Sequence, residues 1–138
     1  IMKKILILAG GYSKEKEVSI KTAKSVYSEL NKDRKYKIKV VNPDGKFVQV
    51  LRNFNPNIVL NLLHGRYGED GYIQAILESE KVKYTHSGVL SSSLAIDKEL
   101  SKKIFIKNKI LTPKYLKFSY RNNINKLKLI NNLQKKIG

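Results

Sequence analysis

Cysteine is absent from this chain, which removes disulfides, thiolate catalysis and cysteine-based zinc sites and gives no support to an oxidising compartment. Long hydrophobic runs are absent too. No apolar stretch approaches the roughly 18 residues of a membrane-spanning helix, and the run at residues 5–9 is too short, and too soon followed by glycines, for a signal peptide. Only two histidines occur, His64 and His86. They are far apart, without HxH or HExxH spacing, so a histidine metal site is not expected. Acidic residues are scarce, 11 against 28 lysines and arginines, which leaves a formal charge of +17.

That charge invites a nucleic-acid reading. The lysines, however, are scattered along every predicted element and accompany abundant Ile and Asn, the trio that an AT-rich coding sequence imposes. A nucleic-acid module would cluster arginines or interleave aromatics with basic residues, and only residues 102–117 come near that. The chain is therefore read as soluble and cytoplasmic, with neither nucleic acid nor membrane as partner. Its 138 residues, 41% of them hydrophobic, have room for one compact domain, or one domain plus a piece of another.

What is present is an alternation of strand-like and helix-like segments. Residues 3–11, KKILILAGG, read as a buried parallel strand that ends in a double glycine where the backbone must turn. Residues 12–19, YSKEKEVS, are the loop at its C-terminal end, and a helix follows with Ile20, Ala23, Val26, Tyr27 and Leu30 on one face. Residues 36–41 alternate as a half-buried strand, 42–45 (NPDG) form a turn, and 47–54 a short helix. Residues 57–63, NIVLNLL, are a second buried strand that delivers His64 at its C-terminal end. Gly65 and Gly68 allow a tight loop, Glu69 and Asp70 start a helix with the stripe Ile73, Ile76 and Leu77, residues 82–85 make a short strand, and 87–88 a turn. One helix is expected over 91–103, a break at Thr112-Pro113, a strand over 114–120 and a helix over 124–137. Such an order argues for a parallel α/β sheet with right-handed crossovers.

In open parallel sheets ligands bind beyond the C-terminal ends of the strands. Two candidates lie there. Glu15, among lysines in the first loop, suits a substrate ammonium, although a solvated charged loop explains it as well. His64, flanked by a glycine that lets a ligand approach the backbone, suits a site histidine or a structural one bonded to a neighbouring carbonyl. His86 reads as a surface residue. The glycines of AGGYSKEKE satisfy neither the Walker pattern nor G-x-G-x-x-G, so they do not by themselves indicate a nucleotide.

Taken together, AGGYSKEKEVS, HGRYGEDGYIQAILE, YTHSGV and AIDKELSK resemble the D-alanine:D-alanine ligases of bacterial cell-wall synthesis, over residues 3 to about 115. The resemblance implies an ATP-grasp enzyme. Residues 1–96 would be its N-terminal, Rossmann-like substrate-side domain, a three-layer parallel sheet, and residues 97–138 the truncated start of the central ATP-grasp domain. It implies ATP and magnesium as cofactors, D-alanine as substrate, and a D-alanyl phosphate attacked by the amine of a second D-alanine. It also implies a homodimer through the first domain. Carried over by motif position, Glu15 would bind the ammonium of the first D-alanine with Val18 beside it. His64 would lie near the first carboxylate and the acyl phosphate, and Lys98 would reach the ATP phosphates. No metal ligand falls in the chain; the family's magnesium ligands lie beyond residue 138, so this stretch alone is expected to be inactive. Joining D-alanine to D-lactate or D-serine, and a non-catalytic Rossmann-like binding module, remain alternatives. Two residues depart from the family pattern: Ala75 stands for the usual glycine after Gln74, and His86 for the first glycine of Y-T-G-S-G, where a positive φ would call for glycine.

Overall fold

Five apolar residues in succession, Ile5 to Ala9, leave neither side of a strand for water. Lys3–Leu8 accordingly forms β1 at the centre of a three-stranded parallel sheet, between β2 (Tyr36–Val41) and β3 (Ile58–Asn61), in the order β2-β1-β3. In this computed structural model, which describes residues 2–117 and 126–137, Ile5 lies opposite Ile38 and Ile58, and Leu8 opposite Val41 and Asn61. Tyr84 adds a single parallel bridge to Val59.

The pleat sends alternate residues to opposite faces, and both faces are covered. Leu6, Leu8 and Val59 pack against Phe47 and Leu51 of α2 (Phe47–Phe54) and Ile73 and Leu77 of α3 (Tyr72–Ser79). Ile5, Ile7 and Ala9 meet Ala23 of α1 (Lys16–Leu30), with Val26 and Leu30 around them. Leu6, Ile7, Leu8 and Leu77 are completely buried, each contributing about 1.5–3 kcal/mol relative to exposure. Three layers around a parallel sheet are the architecture expected from the sequence.

Several boundaries differ from expectation. α1 starts at Lys16, so half of the expected 12–19 loop is helix. Glu69 and Asp70 do not start α3, because Gly71 intervenes at φ +94. Their side chains serve the loop: Asp70 accepts the N–H groups of Tyr67 (2.8 Å) and Tyr72 (3.1 Å), and Glu69 that of Gly65 (2.7 Å). The expected strand at 82–85 is reduced to the Tyr84 bridge, held by bonds from Val59 N–H to Lys83 O and from Thr85 N–H to Val59 O.

The helix expected over 91–103 is two helices, α4 (Val89–Ile96) and α5 (Lys98–Lys107). Asp97 breaks it. In extended conformation (φ −83, ψ 105), Asp97 turns its carboxylate onto the N–H groups of Glu99 (2.9 Å) and Leu100 (3.0 Å) and so caps α5. The chain divides there into two units, Ile1–Ile96 and Asp97–Gly138. In the second unit Glu99 pairs with Lys103 (2.7 Å) and Lys117, and Lys102 donates to Thr112 Oγ1 and the Pro113 carbonyl. Of the strand expected at 114–120, residues 114–117 have no regular structure and the remainder lies outside the described residues. A last helix, α6, is Lys126–Ile137; Ile124, expected to open it, is outside the described residues.

Candidate functional site

The sheet order decides where a site can form. β1 continues into α1 on one face, whereas α2 and α3 cover the other. The chain ends of β1 and β3 therefore diverge and leave a crevice beyond their C-termini. Ser19, fully buried in α1, ties its walls together: its hydroxyl donates to Leu62 O (2.6 Å) and accepts the Gly10 N–H (2.9 Å). The Gly11 N–H is held by Asn42 Oδ1 at 2.9 Å.

Glu15 stands immediately before α1, at the N-cap position, yet its carboxylate accepts no capping bond. It lies instead against the loop that follows β3. A Cβ built on Gly65, which sits at φ +68, would come within 2.9 Å of Glu15 Oε2. Glycine at 65 thus provides both the left-handed backbone and the space for the carboxylate. Val18 is one turn further along α1 and 54% exposed.

His64 is half-buried, between buried Leu63 and Gly65. Its Nδ1 lies 3.7 Å from Glu69 Oε1, while the other oxygen of that carboxylate accepts the Gly65 N–H. Nε2 is buried and has no partner among the described residues. The structure thus sets Glu15 against Gly65, the residue that follows His64, and places Glu69, which the sequence reading assigned to a helix start, near the His64 ring. Lys98 is the first residue of α5 and belongs to the second unit.

Beside this corner a cavity of about 680 Å3 opens between the loops and helices α2 and α3. Phe47, Leu63, His64, Tyr67, Tyr72 and Ile73 are among the residues that line it. Neither Glu15 nor Val18 does. Tyr12, Tyr67 and Tyr72 meet edge to face, at centroid separations of 6.4 and 5.2 Å. Among the described residues no group of three or more His, Asp or Glu side chains is placed to hold a metal ion.

Two buried carboxamides were missed in the sequence. Asn61, with no exposure, bonds both Leu63 N–H (3.2 Å) and Gly68 O (2.8 Å). Gln74, 1% exposed, donates to the same Gly68 carbonyl at 3.0 Å. The available signal was a polar residue in an otherwise apolar strand, which is rarely left unpaired.

No protein-family model matches the chain. It is similar to curated proteins of which it covers only a part. D-alanine–D-alanine ligase of Pelagibacter ubique is 57% identical over 129 residues, 93% of this chain and 42% of that protein. The enzyme of the same name from Carboxydothermus hydrogenoformans is 42% identical over 122 residues, 88% of this chain and 39% of its own. Among solved structures, D-alanine–D-alanine ligase from Bacillus anthracis complexed with ATP superposes with a TM-score of 0.75 at 35% identity, over 94% of this chain and 44% of the other. The chain thus spans about two-fifths of the length of the relatives it matches.

Proposed function

We propose that this chain, which belongs to the D-alanine–D-alanine ligase family by homology over 93% of its length, supplies the substrate-side part of a ligase that joins two D-alanines at the expense of ATP. The observation that carries the reading is the 57% identity to such an enzyme over 93% of this chain, with the Glu15 carboxylate set against Gly65, the residue that follows His64. In the proposed reaction a carboxylate oxygen of the first D-alanine bonds to the terminal phosphorus of ATP and ADP leaves. The amine of the second D-alanine then attacks the carbonyl carbon, loses a proton and expels phosphate.

Glu15 is assigned the ammonium of the first D-alanine. An ion pair at about 4 Å is worth between roughly 1 kcal/mol in water and 4 kcal/mol near a protein surface. Val18 is assigned the methyl side of that substrate. His64 is assigned a hydrogen bond to the oxygens on which charge accumulates during transfer, the kind of contact that acts where water is excluded. Lys98 is assigned the ATP phosphates, where an ammonium acts as a point charge. Magnesium would be held by other parts of the enzyme, and no step is derived through it from these residues. The reading extends to a cytoplasmic enzyme of peptidoglycan synthesis that dimerises through its first domain.

The test is a chimera in which this chain replaces the matched segment of the Pelagibacter ubique relative. Glu15→Gln should raise KM for the first D-alanine about tenfold or more, the effect of 1.4 kcal/mol, with KM for ATP nearly unchanged. Equal losses for both ligands would overturn the assigned role.

A further inference from the structure

The two ends of the loop that carries His64 are bonded to one side chain. Asn61 ends β3 with no exposure, where a carboxamide is tolerated only if it is paired. Its Oδ1 accepts Leu63 N–H at 3.2 Å and its Nδ2 donates to Gly68 O at 2.8 Å. Those partners bracket His64, Gly65, Arg66 and Tyr67, so one amide bonds both ends of the loop, whose interior is held by Glu69 and Asp70. The group is itself anchored, because the Asn61 N–H donates to Thr85 Oγ1 at 3.1 Å. Gln74 reaches the same Gly68 carbonyl from α3 at 3.0 Å, and its Oε1 is buried without a partner among the described residues. The Gly68 carbonyl is thus held by two donors, one from the sheet and one from a helix.

We propose that Asn61, seconded by Gln74, is a positioning residue: its bonds to both ends of the 63–68 loop set the His64 imidazole relative to the Glu15 carboxylate. The proposal rests on the ligase reading given above. Leucine at 61 keeps the branched outline of asparagine, with a larger volume, and bonds neither loop end. The loop should then relax without loss of the apolar core.

In the unaltered chain, the Asn61 side-chain amide protons should exchange slowly with solvent by NMR; rapid exchange would overturn the proposal without any variant. In Asn61→Leu the His64 ring resonances should shift or broaden. In the chimera the same variant should lower kcat about tenfold to a hundredfold, the scale of a displacement near 1 Å, with KM for ATP unchanged. A folded Asn61→Leu protein with unmoved His64 resonances and unchanged kcat would overturn it. Should that variant fail to fold, Gln74→Leu, which withdraws the second donor and leaves β3 intact, is read the same way. If the unaltered chimera makes no dipeptide, the ligase reading fails, while the NMR experiment still decides the positioning role.

Discussion

His86 is exposed and sits at φ +92, beyond the left-handed region that an L-residue tolerates. In that conformation the Cβ crowds its own backbone, at a cost of roughly 1–2 kcal/mol. No hydrogen bond or ion pair of the imidazole offsets that cost among the described residues. Glycine relieves the strain but adds freedom to the unfolded chain, which takes back about 0.4–1 kcal/mol. His86→Gly should therefore stabilise the chain by a net ~0.5–1 kcal/mol, raising the thermal midpoint by about 2–6 °C. The control is His86→Ala, which removes the imidazole and keeps the strain; it should leave the midpoint nearly unchanged. Circular dichroism melts of the three proteins decide the matter. A glycine variant no more stable than the alanine variant would refute the backbone argument. If the side chain contributed, both variants would lose stability together.

Two further outcomes follow from buried or paired hydroxyls. Ser19→Ala leaves the Gly10 N–H and the Leu62 carbonyl without their buried partner and should cost about 1–3 kcal/mol in urea denaturation; a loss below about 0.5 kcal/mol would show that the walls of the crevice are held otherwise. Tyr84 donates to Glu78 at 2.6 Å, and that bond, with partial burial and the nearby carboxylate charge, pushes its pKa up to about 12. The neutral hydroxyl is the stabilising form, so its contribution is complete below the unfolded value near 10 and is lost as pH rises through about 12. Tyr84→Phe should be less stable than the parent by about 1 kcal/mol at neutral pH, and the gap should close between pH 10 and 12; a gap independent of pH would contradict the assignment.

The centre of the sheet was legible because β1 is apolar on both faces, a pattern that needs layers above and below: Ile5 and Ile7 meet one layer, Leu6 and Leu8 the other. α2 was legible because Phe47 and Leu51 recur one turn apart and both are buried. The start of α1 was not, since Lys14 to Glu17 are charged and only Ser19 turns inward, to make polar bonds rather than apolar contacts. The break at Asp97 was hidden by apolar periodicity that runs on through Leu94, Ile96 and Leu100, although Asp followed by Lys-Glu is a helix-start signal. Within the site, position at strand ends pointed to Glu15 and His64. The approach of Glu15 to Gly65 depends on loop conformation, and the bonds of Asn61 and Gln74 on tertiary contacts, neither of which leaves a period in the sequence. Glu69 and Asp70 followed the usual preference for acids at helix starts but are used two residues earlier, because Gly71 delays α3.

The most direct test of the ligase reading is turnover by the chimera in which this chain replaces the matched segment of the Pelagibacter ubique relative. With ATP and D-alanine it should release ADP only when D-alanine is present and form one D-alanyl-D-alanine per ADP, whereas the 138-residue chain alone should form none. A folded chimera that binds ATP yet yields no dipeptide would contradict the account.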